Sequence, residues 1–240
     1  MADLHPGEVV PEADLWLDLT RRRRTGVAEA VYAPGKSPAQ CAEAVAGLLA
    51  GTDEGPVLLT RARPAQAAAA LAETPGATCT AVCEDADGAS LSILTWRALA
   101  PRKGCALILT AGTSDLPVAR EAAAVLEAYG HGATVIADVG VAGLHRVLAQ
   151  QERLAEADVV LVVAGMEGAL ASVVTGMTSA PVIAVPTSTG YGSGLEGVTS
   201  LLGMMASCSP GVSVVGIDNG FGAACAAVRV LAALGPEESR

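Results

Sequence analysis

Five times between residues 105 and 217 a run of five to eight mostly apolar residues gives way to a loop rich in Gly, Ser, Thr or Asp. The runs are CALILT (105–110), ATVIADVG (133–140), DVVLVVAG (158–165), PVIAVP (181–186) and VSVVGI (212–217). Helical patterns follow them: LPVAREAAAVLEAYG, HRVLAQQERLAEA (145–157), MEGALASVVTGM (166–177), a segment running to Cys208, and ACAAVRVLAAL. Short apolar strands alternating with helices specify a parallel sheet covered on both faces. Ligands of such sheets sit beyond the carboxyl ends of the strands. The loops AGTSD, DVGVAGLH, AGMEG, PTSTGYGSG and DNGFG are therefore where a ligand crevice is expected.

The first hundred residues are less regular. EAVYA (29–33) and GPVLLT (55–60) read as strands, and CTAVCED and ASLSILTW as a further strand pair. SPAQCAEAVAGLLAG reads as a helix with Ser37 as N-cap and Gly51 as C-cap. These signals place a small N-terminal α/β domain at 1–100 and the regular α/β domain at 101–240. Hydrophobic residues make up 51% of the chain, yet only two Trp, three Tyr and one Phe are present. The core must then be Ala, Val and Leu, which favours closely spaced helix and sheet layers.

A net charge of −10 lacks the basic face that nucleic acid requires. The one basic cluster, residues 21–24, reads either as a solvated helix face or as a source of bidentate donors to phosphate or carboxylate. Six cysteines (41, 79, 83, 105, 208, 225) form no CxxC pair, and three histidines (5, 131, 145) are scattered, so there is no zinc signature. Cys79 and Cys83 are expected on one side of a strand, as core packing. MADLHPGEVV is too acidic and too poor in apolar residues for a signal peptide. No apolar run reaches the ~18 residues of a membrane span. A reduced, cytoplasmic protein is the expectation.

Each loop offers some chemistry. In LTAGTSDLPVAREAA a strand ends in small residues, and Ser114-Asp115 opens a helix: an arrangement that receives phosphate, or a plain N-cap. GYGSG (190–194) follows a late strand and lacks an acidic partner, so it is no dinucleotide fingerprint. His145, after a strand and a Gly-bearing loop, is a proton-transfer candidate. Glu167, opening a helix after the most apolar strand, suits either the helix dipole or a general base. Cys208, between Ser207 and Ser209 at a helix end, is either a small hydrophobe or a nucleophile.

The strings TAGTSDLPVA, DVGVAGLHR, VVAGMEGALASVV, AVPTSTGYG and NGFGAA, in this order, together with LDLTRRRRTGVAEAVYAPGKSPAQ (17–40), resemble the LarB family over nearly the whole chain. That resemblance implies a three-layer, PurE-like (flavodoxin/Rossmann-like) parallel sheet preceded by a smaller α/β domain. Three positions depart from the family pattern. Leu19 and Thr20 follow Asp18 where histidines are usual, Ala28-Glu29 replaces Pro-Glu, and Ala171 stands where Pro is usual.

The resemblance implies carboxylation of the pyridinium ring of nicotinic acid adenine dinucleotide at C5, with hydrolysis of the phosphoanhydride. The products would be pyridinium-3,5-biscarboxylic acid mononucleotide, the first intermediate of the nickel-pincer cofactor, and AMP. An electron-poor ring cannot attack CO2 as it stands. A thiolate adding to a neighbouring ring carbon leaves an enamine whose β-carbon can, and the thiolate then departs. Cys208 stands where the resemblance places that nucleophile. Glu167 and His145 are the candidate bases for the C5 proton. Gly112, Thr113, Ser114, Asp115, Thr187, Ser188, Gly190, Tyr191, Asp218 and Asn219 are the candidate substrate contacts. CO2 or bicarbonate is the co-substrate. Mg2+ would suit the anhydride cleavage, although no ligand cluster demands it. The family's homo-octamer, in which neighbouring chains complete each site, is the implied assembly. The alternatives are a PurE-type carboxylase or mutase of aminoimidazole ribonucleotide, and a nucleotide-binding module without chemistry.

Overall fold

Residues 15–51, 55–84 and 88–234 are described by a computed structural model. The MADLHPGEVV stretch, with His5, lies outside the described residues, as does Asp85 of CTAVCED. The chain first forms α1 (Arg21–Thr25), β1 (Ala30–Tyr32), α2 (Pro38–Gly51), β2 (Val57–Ala62), α3 (Pro64–Glu73), β3 (Thr78–Glu84) and β4 (Ser90–Trp96). The strands make one sheet in the order β1-β2-β4-β3, parallel between β1 and β2 and antiparallel elsewhere. Ser37 caps α2 as its sequence predicts: its Oγ accepts the Gln40 N–H at 3.2 Å, and Gln40 Oε1 accepts the Ser37 N–H at 2.9 Å.

The chain then forms β5 (Cys105–Thr110), α4 (Leu116–Ala128), β6 (Gly132–Ile136), α5 (Leu144–Leu148), α6 (Gln151–Glu156), β7 (Val159–Ala164), α7 (Ala169–Thr175), β8 (Val182–Pro186), α8 (Val198–Met205), β9 (Val212–Val214) and α9 (Gly220–Ala233). These strands form a five-stranded, all-parallel sheet in the order β6-β5-β7-β8-β9. This is the flavodoxin-like winding, with its switch point between β5 and β7. All six residues of β7 are buried, as a central strand covered on both faces requires.

Four expectations need adjustment. The helix expected over 145–157 is two helices. Gln150 Nε2 donates to the Arg146 carbonyl (3.3 Å), which an unbroken helix would give to the Gln150 N–H; that N–H bonds Val147 O instead. The strand expected over 212–217 stops at Val214. The helix expected to reach Cys208 ends at Met205. A bulge between Ala81 and Cys83 shifts the register of β3, so Cys79 is exposed while Cys83 packs on the core.

The Ala-rich helices α4 and α9 lie between the two sheets. One buried cluster joins Leu58, Val82 and Ile93 of the first sheet, through Ala119, Ala122, Ala223, Ala224 and Ala227, to Ile108, Leu161 and Val163 of the second. Small side chains on both faces of a helix let two sheets pack on it without voids. The second sheet's other face packs on α5 to α8, and the first sheet's other face on α2 and α3. The junction is also tied by hydrogen bonds. The Ala28 N–H donates to the Tyr129 hydroxyl at the end of α4 (2.7 Å), and Arg229 of α9 donates to Thr25 O at 2.8 Å. Burial pushes the Tyr129 hydroxyl up to about 12.

Candidate functional site

The loops leaving β5, β6 and β7 enclose a crevice of about 420 Å³ at the switch point, with Thr189 of the loop after β8 on its wall. Backbone bonds continue the sheet past its strand ends: Val139 N donates to Thr110 O, Gly140 N to Ala111 O, Thr187 N to Ala164 O and Asp218 N to Pro186 O. Two loops touch so closely that only glycine fits. A Cβ on Gly165 would lie 2.1 Å from Thr189 O, and one on Gly203 of α8 would lie 2.2 Å from Glu167 O. The site loops are therefore fixed by backbone, and the side chains they carry are held in place with them.

Positive φ gathers at these exits. Asp138 (φ 60) follows β6, Met166 (φ 53) follows β7 and Asp218 (φ 55) follows β9. Left-handed backbone at non-Gly residues costs energy that the surrounding contacts must offset, and it clusters where side chains are aimed at a ligand. Here it turns the chain at Met166 so that Glu167 lies on the crevice wall.

The predicted residues divide into three groups. Gly112, Thr113, Ser114 and Glu167 line the crevice. Asp115 also borders it but is 2% exposed, and both its oxygens are occupied: Oδ2 accepts the Gly112 N–H (2.9 Å) and Oδ1 accepts the hydroxyl of buried Thr187 (2.6 Å). Asp115 and Thr187 thus shape the loop rather than offering free groups to a ligand. Ser188, Asp218 and Asn219 lie toward the first sheet. The Ser188 N–H donates to Asp218 Oδ1 (2.9 Å), and Asn219 caps α9 by accepting the Gly222 N–H (2.7 Å).

The third group stands apart from the crevice of its own chain. His145 is exposed on α5 and does not line the crevice; its neighbour Arg146 does, paired with Asp138. Tyr191, after Gly190, is 83% exposed. Cys208 is exposed in the loop entering β9 at the sheet's amino end and does not line the crevice. The flanks of that loop are anchored on one residue of α7. Ser207 and Ser172 share a hydroxyl bond of 2.7 Å, and Ser209 Oγ donates to Ser172 O at 2.8 Å.

Sequence reasoning missed Arg146, Asp138 and Met166. Arg146 directly follows the histidine that drew attention, and DVG placed Asp138 in a loop already marked as a ligand loop. The Met166 backbone conformation has no sequence signal. In the basic cluster, Arg21 and Arg24 pair with Asp18, and Arg21 also with Glu29, so these two serve the N-terminal arm. Among the described residues no three His, Cys, Asp or Glu side chains converge as a metal cage. No described helix is long and apolar enough to cross a membrane.

Residues 106–239 match the family model for AIR carboxylase, and residues 14–84 match that for the LarB/PurE-like N-terminal domain. The chain belongs to the LarB family. The LarB chain is 42% identical over 214 residues to an uncharacterized protein of Methanocaldococcus jannaschii, covering 88% of this chain and 82% of the relative. Its second half is similar to N5-carboxyaminoimidazole ribonucleotide mutases. The identity is 36% over 130 residues with that of M. jannaschii (52% of this chain, 77% of the relative). It is 31% over 149 residues with that of Thermotoga maritima (58% and 80%). LarB and PurE-like domains together support a carboxylase- or mutase-type function.

Proposed function

We propose that this LarB chain carboxylates the pyridinium ring of nicotinic acid adenine dinucleotide at C5 and hydrolyses the phosphoanhydride, releasing pyridinium-3,5-biscarboxylic acid mononucleotide and AMP. The observation that carries the reading is the meeting of Glu167, Ser114 and Arg146 in one crevice at the switch point. A carboxylate base, hydroxyl and backbone donors for phosphate, and a guanidinium for a ring carboxylate are what the substrate needs. Glu167, which lines the crevice beside Ser114 and Arg146, takes the base role.

The steps balance. The Cys208 thiolate forms an S–C bond to a ring carbon next to C5, and the electron pair moves into the ring. C5 forms a C–C bond to CO2, gives its proton to Glu167, and the S–C bond breaks with its pair returning to sulfur. Water then cleaves the anhydride. Since Cys208 does not line its own chain's crevice, the thiol that reaches the ring belongs to a second copy, in keeping with an octamer whose sites are shared. A Mg2+ carried on the phosphates would need only one or two protein carboxylates; with Glu167 taken as the base and both Asp115 oxygens already bonded, Asp138 is the carboxylate left on the crevice wall to hold it, and the ion would stabilise the leaving phosphate oxygen.

The mutase-like second half favours one other reading, a PurE-type reaction on aminoimidazole ribonucleotide. Mass spectrometry after incubation with nicotinic acid adenine dinucleotide and bicarbonate separates the two. Released AMP and a mononucleotide heavier by one carboxyl are expected. Untouched dinucleotide with a rearranged or carboxylated imidazole ribonucleotide transfers the assignment to the second reading. Turnover of neither overturns both.

A further inference from the structure

Cys208 is held in place through its neighbours. It is exposed and makes no hydrogen bond among the described residues, while Ser207 and Ser209 on either side are half-buried. Both serines end on Ser172 of α7. The Ser207 and Ser172 hydroxyls share a bond of 2.7 Å, and Ser209 Oγ donates to Ser172 O at 2.8 Å. Ser207 Oγ also accepts the Ser209 N–H at 3.2 Å, the local turn that a serine offers to the residue two places on. These three bonds close a ring through the backbone of Cys208. Ser172 O receives the Gly176 N–H as well, at 3.3 Å, and the two lone pairs of a carbonyl accommodate both donors. Beside the ring lies a groove of about 460 Å³ lined by Leu201, Met204, Met205 and Pro210, so packing does not support the loop on that side and the hydrogen bonds to α7 do.

We propose that Ser172 is a positioning residue for the Cys208 thiol, setting where the sulfur stands when it enters the crevice of a second copy. The inference rests on the function proposed above, in which that thiolate adds to the pyridinium ring. Addition needs the sulfur aligned with one ring carbon, and a misplacement of about 1 Å can cost about 100-fold in rate. A side chain on a free loop samples many positions. Tying both of its flanks to one helix residue removes that freedom before the ring arrives. The helix chosen is telling. α7 begins just behind Glu167, and Gly203 of α8 packs so closely on the same turn that a Cβ there would lie 2.2 Å from Glu167 O. α8 in turn runs into the thiol loop, where the Ser207 N–H donates to Met204 O at 3.3 Å. The carboxylate of one crevice and the thiol given to the next are thus built on the same two helices, and Ser172 is where the thiol loop is tied to them.

Steady-state kinetics of the full chain with nicotinic acid adenine dinucleotide and bicarbonate test the assignment in Ser172→Ala, Ser207→Ala and the double variant. Alanine is the better helix former, so Ser172→Ala does not weaken α7 itself. It should lower kcat by about tenfold or more and leave KM within about threefold, because the nucleotide crevice is untouched. Ser207→Ala should lose at least as much, and adding Ser172→Ala to it should cost less than about twofold further, since the shared bond is already gone. A purely structural role for Ser172 would cost the same factor in either background, and that result overturns the proposal. So does an unchanged kcat in Ser172→Ala, or a loss that falls on KM instead. Hydrogen exchange at the Ser209 N–H reads the same ring without turnover. It should speed up by about tenfold in Ser172→Ala, the equivalent of one hydrogen bond, and unchanged exchange overturns the proposal. A wild type that makes no carboxylated product, with the faster exchange present in the variant, supports the ring and removes the proposed reaction instead.

Discussion

The crevice at the carboxyl ends of the parallel sheet and the loop bearing Cys208 are built in opposite ways. The crevice is assembled by its own chain: Asp115, Thr187 and backbone bonds between loops close on one another, and the left-handed residues Asp138 and Met166 line it. The Cys208 loop is also held firmly, through Ser172, but it presents its thiol outward. Beside it α8 leaves Leu202 60% and Met205 67% exposed. A polar site closed upon itself is ready for ligand. A presented thiol beside uncovered apolar side chains has work to do only against something else. The contrast teaches that anchoring and enclosure are separate properties: both regions are tied down by hydrogen bonds, and only one is enclosed by its own chain.

The sharpest way to break that contrast is Cys208→Ala. Product formation should fall by about a thousandfold or more while nucleotide binding stays near wild type; product formed at the wild-type rate removes the thiol adduct. The next test asks whose cysteine is used. Cys208→Ala and Glu167→Gln chains, each inactive, are co-expressed in equal amounts. Activity near about a quarter of wild type is expected if the thiol and the base come from different copies. No recovery places them in the same chain and breaks the comparison.

The stability of the junction that carries the crevice comes next. Arg61→Ala leaves the Glu121 carboxylate buried without its cation, and should cost about 3–5 kcal/mol in the denaturation midpoint. An unchanged midpoint would mean that the first domain does not brace α4. The smallest effect belongs to the exposed arm. The Arg24 guanidinium, with weaker help from Arg21 and against burial, holds the Asp18 carboxyl below the usual carboxylate range. A carboxyl lowered by folding binds more protons unfolded, so its contribution is complete above about pH 5 and is lost as the pH falls through the lowered value. Asp18→Asn should therefore cost less than about 1 kcal/mol at neutral pH. The difference from wild type should vanish in acid, as a pH series of melting curves would show.

Much of the parallel domain was legible because strand, loop and helix alternate in order and each apolar run is long enough to be read. Ser37 announced the start of α2 in the same local way. Other features had no local signal. The break at Gln150 depends on which donor wins the Arg146 carbonyl, and the short β9 depends on an edge position. Arg146 and Asp138 became site residues only when two loops from different strands met. His145 is exposed on α5 while Arg146 lines the crevice, because helix phase, not sequence order, decides which of two neighbours faces it.

By itself, the sequence determined the alternation of strands and helices that makes the second sheet parallel, the loops that would carry the ligand and the small-residue composition that lets layers pack closely. These follow from periodicities of two and 3.6 and from turn residues, all of which act within a few positions along the chain. Only the tertiary structure decided that α4 and α9 lie between two sheets, that Arg61 reaches Glu121 sixty positions away, and that Cys208 stands outside its own crevice. Those outcomes depend on which surfaces are buried against one another, a property of the packed whole that no local pattern contains.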